Sequence, residues 1–435
     1  MTATLGCFYR RQATFTAAPQ LLTSRSAAIN PHHRCFTPLN LLFTYITPFH
    51  PERGGIGRVT DSLTREFLRR GHKVYYLIYD SAITIHHEYD YPAPLTYLPS
   101  RELLSEENIT FYQHYLKEHA IDVVINQSGN FSDSALWLRT GNPAVKVISV
   151  LHSTPWVAYK HLWSTNLALR NDTLIEKLKR IARILLYPRI KRQYRDSRER
   201  QFRMLLPGTD KVCTLSSNYY DELSEICSGY EDKYFAIPNP NSYTEEQVAD
   251  VTLEKKKKQI LFIGLFSAEK AVDRLVKIWG ELYHKHPDWH LVIVGDGPKP
   301  IVSRLHAMAA KMKNIEFVGF QSPLLYLKES SILCMTSNYE GFPMVLTEAQ
   351  QCGAVPIAFQ SFASVTDIIT HDENGILVPP FDMDCYAREL SSLMSDTDKR
   401  TRLASQAMHD VKRFSVANVV DQWEALLDEL QSNDV

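Results

Sequence analysis

Residues 331–359, SILCMTSNYEGFPMVLTEAQQCGAVPIAF, decide the fold of this chain. The run 331–335 is short, apolar and suited to a buried strand, Gly341 and Pro343 break it, and 344–352 has helical composition. Pro343 suits the first helical position and Gly353 the residue just past the last, and a mostly apolar run, 354–359, follows. The pattern predicts a strand, a sharp loop, a helix and a second strand. Such a unit presents its loop at the carboxyl edge of a parallel sheet, where α/β folds bind ligands. Two carboxylates, Glu340 and Glu348, lie on either side of that loop.

The same alternation extends in both directions. Upstream, 259–266 is a nearly continuous apolar run of the kind found in a parallel strand covered on both faces, and Lys270 lies on the loop after it. A helix over 272–284, a strand over 290–294, a helix over 301–311 and a strand over 315–318 lead into the opening stretch. Beyond it, 363–369 continues the alternation and an amphipathic helix over 415–430 closes the chain. Near the start, a strand over 39–46 is followed by a loop with Pro48, Gly54, Gly55 and Gly57, a helix over 58–70 ended by Gly71, and a strand over 74–79. Gly54 and Gly55 let backbone amides approach a ligand at a helix start, where the dipole favours phosphate; a tight turn with no ligand is the plainer alternative. Strands are expected over 121–126, over 145–151 with His152 directly after it, and over 212–216. His152 at such an edge faces a cleft, although a lone histidine is more often structural than catalytic. Pro238, Asn239 and Pro240 form a rigid extended turn before a Lys-rich stretch, and the domain boundary is placed there, with Lys255 to Lys258 read as solvated linker.

Length and composition bound the function. At 435 residues the chain exceeds one ordinary core, so two domains are expected. A formal net charge of -1 calls for no nucleic acid partner. Seven cysteines, odd in number and without a C-x-x-C spacing, point to a reduced cytoplasmic setting and away from a zinc site. No apolar run approaches the roughly eighteen residues that span a bilayer. Residues 1–37 contain no acidic residue and are rich in Ala, Thr, Ser and Arg, which fits a disordered N-terminal extension better than a mitochondrial transit peptide. From 177 to 203 there are eleven Lys or Arg residues against two acids, interleaved with Ile181, Ile184, Leu185, Leu186, Tyr187 and Ile190. That segment reads equally as an anionic membrane-surface element, peripheral at the inner face of the plasma membrane, or as a long solvated helix. Asp382 and Asp384 have the D-x-D form of metal-dependent sugar transferases, but their place after Pro379-Pro380 and before a helical pattern is better explained by N-capping.

Two α/β domains, each with a glycine-bearing loop at a strand end, would enclose a cleft where amides and Lys270 hold a diphosphate. Glu348 could accept hydrogen bonds from both hydroxyls of a ribose, and Glu340 could contact a second hydroxylated ring. Read singly, Glu340 is as well placed to cap the next helix, and Glu348 to lie on the surface.

The order of the motifs resembles retaining glycosyltransferases of family 4, the group 1 transferases of GT-B fold, in which two Rossmann-like domains face each other. The resemblance covers about residues 39–430: PFHPERGGIGR from Pro48 to Arg58, His152 in LHSTP, Ser216-Ser217-Asn218, Pro238-Asn239-Pro240, GLFSAEK from Gly264 to Lys270, VGDGP from Val294 to Pro298, and EGFPMVLTE from Glu340 to Glu348. It implies an N-terminal acceptor-side domain over 38–240, a nucleotide-sugar domain over 241–414 and a closing helix over 415–435. It further implies that Glu340, His152 and Lys270 act at the reacting sugar and that Glu348 holds the ribose. Gly54, Gly55, Gly264, Gly341, Phe342, Pro343, Met344 and Val345 would border the donor, with Gly319 and Phe320 beside the base. The donor would be a nucleotide diphosphate sugar, with no cofactor and no metal, and the acceptor a glycan or lipid-linked oligosaccharide in surface polysaccharide assembly. One position departs from the family: an arginine usually follows the glycine at 264, and here Leu265 does. Diphosphate neutralisation then falls to Lys270, or to Arg53, Arg58 or Arg274. An epimerase or hydrolase of the same fold and a non-catalytic glycan-binding protein are the competing readings; an oxidoreductase lacks the G-x-G-x-x-G after either first strand.

Overall fold

The computed structural model describes residues 37–79, 89–156, 159–162 and 174–432. Apart from Thr37, the expectation for residues 1–37 therefore lies outside the described residues.

Two parallel sheets form the framework. The first runs in the order β3-β2-β1-β4-β5-β6-β7, with β1 Asn40–Tyr45, β2 Lys73–Ile78, β3 Leu95–Tyr97, β4 Val123–Asn126, β5 Lys146–Leu151, β6 Lys211–Thr214 and β7 Tyr234–Ala236. The second runs β10-β9-β8-β11-β12-β13, with β8 Lys257–Ile263, β9 His290–Val294, β10 Ile315–Gly319, β11 Ser330–Met335, β12 Val355–Phe359 and β13 Ile376–Val378. In each sheet the first strand sits between neighbours reached by opposite crossovers. Thus β1 pairs with both β2 and β4, and β8 with both β9 and β11. These are topological switch points, and the loops at their carboxyl ends diverge to leave a crevice.

The opening stretch folds as its residue types dictate. All six residues of β11 are buried, and the chain turns through Gly341-Phe342-Pro343 into the helix Met344–Gln351 before re-entering the sheet as β12. Helices and strands elsewhere begin and end within a few residues of the sequence expectation. Several differences have physical causes. Residues 363–369, which continue the alternation, form the short helix Val365–Ile368. The three-residue strands β3, β7 and β13 carry too short a pattern to read. Lys255 to Lys258 is not solvated linker: Lys257 and Lys258 open β8, and the half-buried Lys256 donates from Nζ to the carbonyls of Leu327, at 2.9 Å, and Cys352. Burial lowers the Lys256 ammonium to about 8.

The last helix, Val416–Ser432, packs on the first sheet. Val419, Val420, Trp423, Leu426 and Leu427 join Phe43, Leu63, Phe67 and Val74 in one core. Buried Glu424 accepts from Arg70 Nη1 at 2.6 Å and lies 3.2 Å from His72 Nε2. Because His72 Nδ1 accepts from the Leu39 N–H at 3.1 Å, the ring proton belongs on Nε2, which donates to Glu424. The chain thus crosses from the first sheet to the second between β7 and β8, and returns at its end.

Candidate functional site

The loops after the switch-point strands line one cleft of about 1010 Å³, next to a recess of about 610 Å³. From the first sheet come Gly54 and Gly55 after β1, Gln127 to Asn130 after β4, and His152 after β5. From the second come Gly264 and Lys270 after β8, Phe320 after β10, and Glu340 to Val345 with Glu348 after β11. Gly319, expected beside the base, is not among the lining residues; it ends β10, and its carbonyl accepts from the Gly295 N–H at 2.8 Å. All the other expected site residues meet in this one cleft.

Two glycines are dictated by geometry. Gly54 has φ +133, a backbone conformation that L side chains rarely adopt, and it turns the chain into the helix Gly55–Arg69. A Cβ on Gly341 would lie 2.0 Å from the His152 carbonyl oxygen, so the two loops touch backbone to backbone across the cleft. Tyr219, from the segment after β6, reinforces this contact: its hydroxyl lies 2.8 Å from both the Glu340 and the Gly341 carbonyls. The neighbouring Asn218 amide donates to Asp367 Oδ1 at 2.9 Å. The expected Ser216-Ser217-Asn218 motif therefore ties the first sheet to the second.

At the centre, Lys270 Nζ donates to Glu340 Oε1 at 2.6 Å and Oε2 at 2.7 Å. Glu340 is thus an ion-pair partner, and the helix after it has no side-chain cap. Burial works against the Lys270 ammonium, but Glu340 more than offsets it and holds the pKa above the ordinary lysine value. Beside it, burial and the Glu340 charge push the Glu269 carboxyl up, and burial with Glu269 raises Tyr339 to about 12. Ala271, in the left-handed region at φ +46, turns the chain sharply after Lys270 and fixes where that side chain starts.

Glu348 is buried, not a surface residue. Its Oε1 accepts from Arg58 Nη1 at 2.6 Å and from Ser242 Oγ at 2.6 Å. Arg274 is committed elsewhere, donating to Thr336 O at 3.2 Å and Asn338 Oδ1 at 2.8 Å and stacking on Phe381. The Arg53 side chain lies outside the described residues. Leu265 is 62% exposed and lines both the cleft and the recess.

His152 Nε2 is hydrogen-bonded to Oε1 of the buried Gln127. Burial lowers the imidazole to about 4, so the ring is neutral at pH 7, with its proton on Nε2 directed to Gln127. On the same side, Arg198 donates from Nε to Pro155 O at 2.6 Å and from Nη1 to Asn130 Oδ1 at 2.5 Å; burial lowers it to about 10. Sequence reasoning missed Gln127, Asn130, Arg198, Tyr219 and Ser242. Their only sequence signal was position after a strand or within a basic helix, because each acts through a partner distant in the chain. Among the described residues no group of three or more His, Cys, Asp or Glu side chains is disposed to hold a metal, and Asp382 caps the helix Met383–Ser395 by accepting from the Cys385 N–H at 2.8 Å.

Two parallel Rossmann-like sheets whose switch points face one cleft define the GT-B class. Residues 53–240 match the sequence model of Glycosyltransferase Family 4, and residues 244–410 that of Glycosyl transferases group 1. The chain belongs to this glycosyltransferase group. It is 22% identical over 88% of its length to N-acetyl-alpha-D-glucosaminyl L-malate synthase of Bacillus anthracis, 96% of which is covered. It is 29% identical over 52% of its length to an exopolysaccharide phosphotransferase of Streptomyces coelicolor, 24% of which is covered. Over the first curated relatives the matches span only 24% to 54% of their length. Anabaena HepE, solved with UDP and glucose, superposes with a TM-score of 0.66 at 16% identity, over 90% of this chain and 100% of that one. Sucrose-phosphate synthase of Thermosynechococcus elongatus does so with 0.67 at 16%, over 91% and 100%.

Proposed function

We propose that this protein is a retaining, metal-independent glycosyltransferase that moves a hexosyl unit from a nucleotide diphosphate sugar to a glycan hydroxyl, in surface polysaccharide assembly. The observation that carries the proposal is the convergence of Lys270, Glu340 and Glu348 from one sheet on a cleft closed by Gly55 and His152 from the other. Glu348 holds the ribose diol. Residues 342–345 and Lys270 meet the negative charge that develops on the departing diphosphate, the main catalytic contribution in this account. Glu340, drawn close by Lys270, orients the sugar. His152 is neutral, so its role is to bind and position rather than to carry charge. Glu340 and Glu348 are each held by a cation, Lys270 and Arg58, and neither is assigned here as a nucleophile.

The relatives lend support to the substrate classes. HepE has been solved with UDP-glucose, and one Campylobacter jejuni relative is an N-acetylgalactosaminyltransferase named for an undecaprenol-linked acceptor. A lipid-linked oligosaccharide is accordingly the acceptor proposed here. The helices Leu174–Leu185 and Tyr187–Leu205, with Leu186 between them, expose Leu178, Ile181, Leu185 and Leu186 among the cations. This is the composition of a surface that lies on anionic lipid at the inner face of the membrane, each cation adding about 1 kcal/mol. Among the described residues no helix is long and apolar enough to cross a membrane. Co-sedimentation with anionic liposomes at low salt is expected; its absence refutes this part.

Leu265 favours a second reading, a glycan-binding protein that binds nucleotide but does not turn it over. Lys270→Ala and Glu340→Ala separate the two. Each should lower nucleotide release from the donor strongly while the fold survives, and wild-type rates in either variant overturn the transferase assignment.

A further inference from the structure

We infer that Arg58, delivered from the first sheet, is a diphosphate-binding cation of the donor site, held on Glu348 while the site is empty. The inference rests on the donor reading above and adds a residue and a coupling to it.

Among the described residues three cations line the cleft: Arg58, Lys270 and Arg198. Lys270 is matched by both oxygens of Glu340, 2.6 and 2.7 Å away. Arg198 is fastened to Pro155 and Asn130 beside His152 and does not line the adjoining recess. Arg58 lines both cavities, as do Glu52, Ile263, Gly264, Leu265 and Phe320, and so stands where they join. A nucleoside diphosphate placed with its base in the recess and its sugar in the cleft must pass its phosphates through that junction. Among the described residues Arg58 is the one cation that lines both cavities; the rest of the junction is mostly apolar, with Ile263, Leu265 and Phe320, and carries one carboxylate, Glu52.

The contact that holds Arg58 is the one the ligand would replace. Its Nη1 lies 2.6 Å from Glu348 Oε1, an oxygen that also accepts from Ser242. A ribose diol on that carboxylate competes with the guanidinium for it. The freed guanidinium remains on a side chain that is 30% exposed, and the phosphates hang from the same ribose. A planar guanidinium can then grip phosphate oxygens in pairs, which a lysine cannot do. Because Arg58 and Glu348 belong to different sheets, donor binding exchanges one contact across the cleft for another, and the ligand becomes part of what holds the two walls together.

The test titrates the full chain calorimetrically with UDP, GDP and ADP and with the matching monophosphates. In Arg58→Ala the preference for diphosphate over monophosphate should fall by about tenfold or more. Leu265→Arg in the Arg58→Ala background should restore it, since it places a guanidinium on the opposite wall of the same junction. Circular dichroism confirms that both variants fold. Unchanged or tighter diphosphate binding in Arg58→Ala overturns the inference, because Arg58 then only shields Glu348. An equal loss for mono- and diphosphate, or a selective loss that Leu265→Arg does not repair, overturns it as well. Wild-type protein that binds none of the three nucleotides overturns the donor reading itself, and the inference with it.

Discussion

Gly341→Ala tests the close contact of the two loops with the least chemistry. The new Cβ would lie 2.0 Å from the His152 carbonyl oxygen, 2.7 Å from the carbonyl carbon and 2.9 Å from Ser153 Cα. All three are backbone atoms, so no side chain can rotate aside. Relief requires the loops to part until the shortest contact reaches an ordinary 3.4 Å. Tyr219 resists that retreat, because its single hydroxyl proton is shared between the Glu340 and Gly341 carbonyl oxygens, each 2.8 Å away. Overpacking of this kind costs about 1–3 kcal/mol. A misplacement of about 1 Å at a reacting centre costs on the order of a hundredfold in rate. The expected outcome is a folded variant whose thermal unfolding midpoint falls by a few degrees and whose donor turnover, followed by nucleotide release, drops far more than its nucleotide affinity. Wild-type turnover in a soluble Gly341→Ala protein would refute the contact and the placement of the reacting sugar beside it.

Other expectations probe separate parts of the structure. Glu424→Ala removes a buried carboxylate that faces Arg70 and His72; because Arg70 keeps Glu66 and Asp421, the loss should sit at the low end for a broken buried pair, about 3 kcal/mol by urea unfolding. His152 should make the protein acid-sensitive. Its folded pKa, about 4, lies below the ordinary histidine value of 6.5, so the unfolded chain binds the proton more readily as pH falls through that window. Stability should decline there by up to about 1.4 kcal/mol per pH unit relative to His152→Asn, and parallel pH profiles for the two proteins would exclude an imidazole held neutral in the fold.

The second sheet was legible because its strands are buried on both faces and read as continuous apolar runs: β9 falls where the sequence placed it, and β11 and β12 within a residue. The edge strands β3, β7 and β13 were not, since three residues carry no period. Lys256 shows the limit of charge patterns: inside a run of four lysines it reads as solvent, and only the positions of Leu327 and Cys352 reveal two carbonyl acceptors for it. The motif from Glu340 to Glu348 marked both carboxylates, but their partners lie far away in the chain. Lys270 is 70 residues from Glu340, and Arg58 is 290 residues from Glu348. Such pairings depend on how the two sheets face each other, which no local spacing encodes. The same holds for the final helix, whose amphipathic pattern was plain but whose return to the first sheet was not.

The central claim is that this cleft takes a nucleoside diphosphate with its ribose on Glu348. The most direct measurement is a cycle between protein and ligand: binding of the nucleoside diphosphate that the wild type holds most tightly among UDP, GDP and ADP, and of its 2′-deoxy analogue, to wild-type protein and to Glu348→Gln. The account predicts that removing the hydroxyl costs about 1.5–3 kcal/mol in the wild type and little in the variant, a coupling that only direct contact produces. Additive losses in the two changes would contradict it.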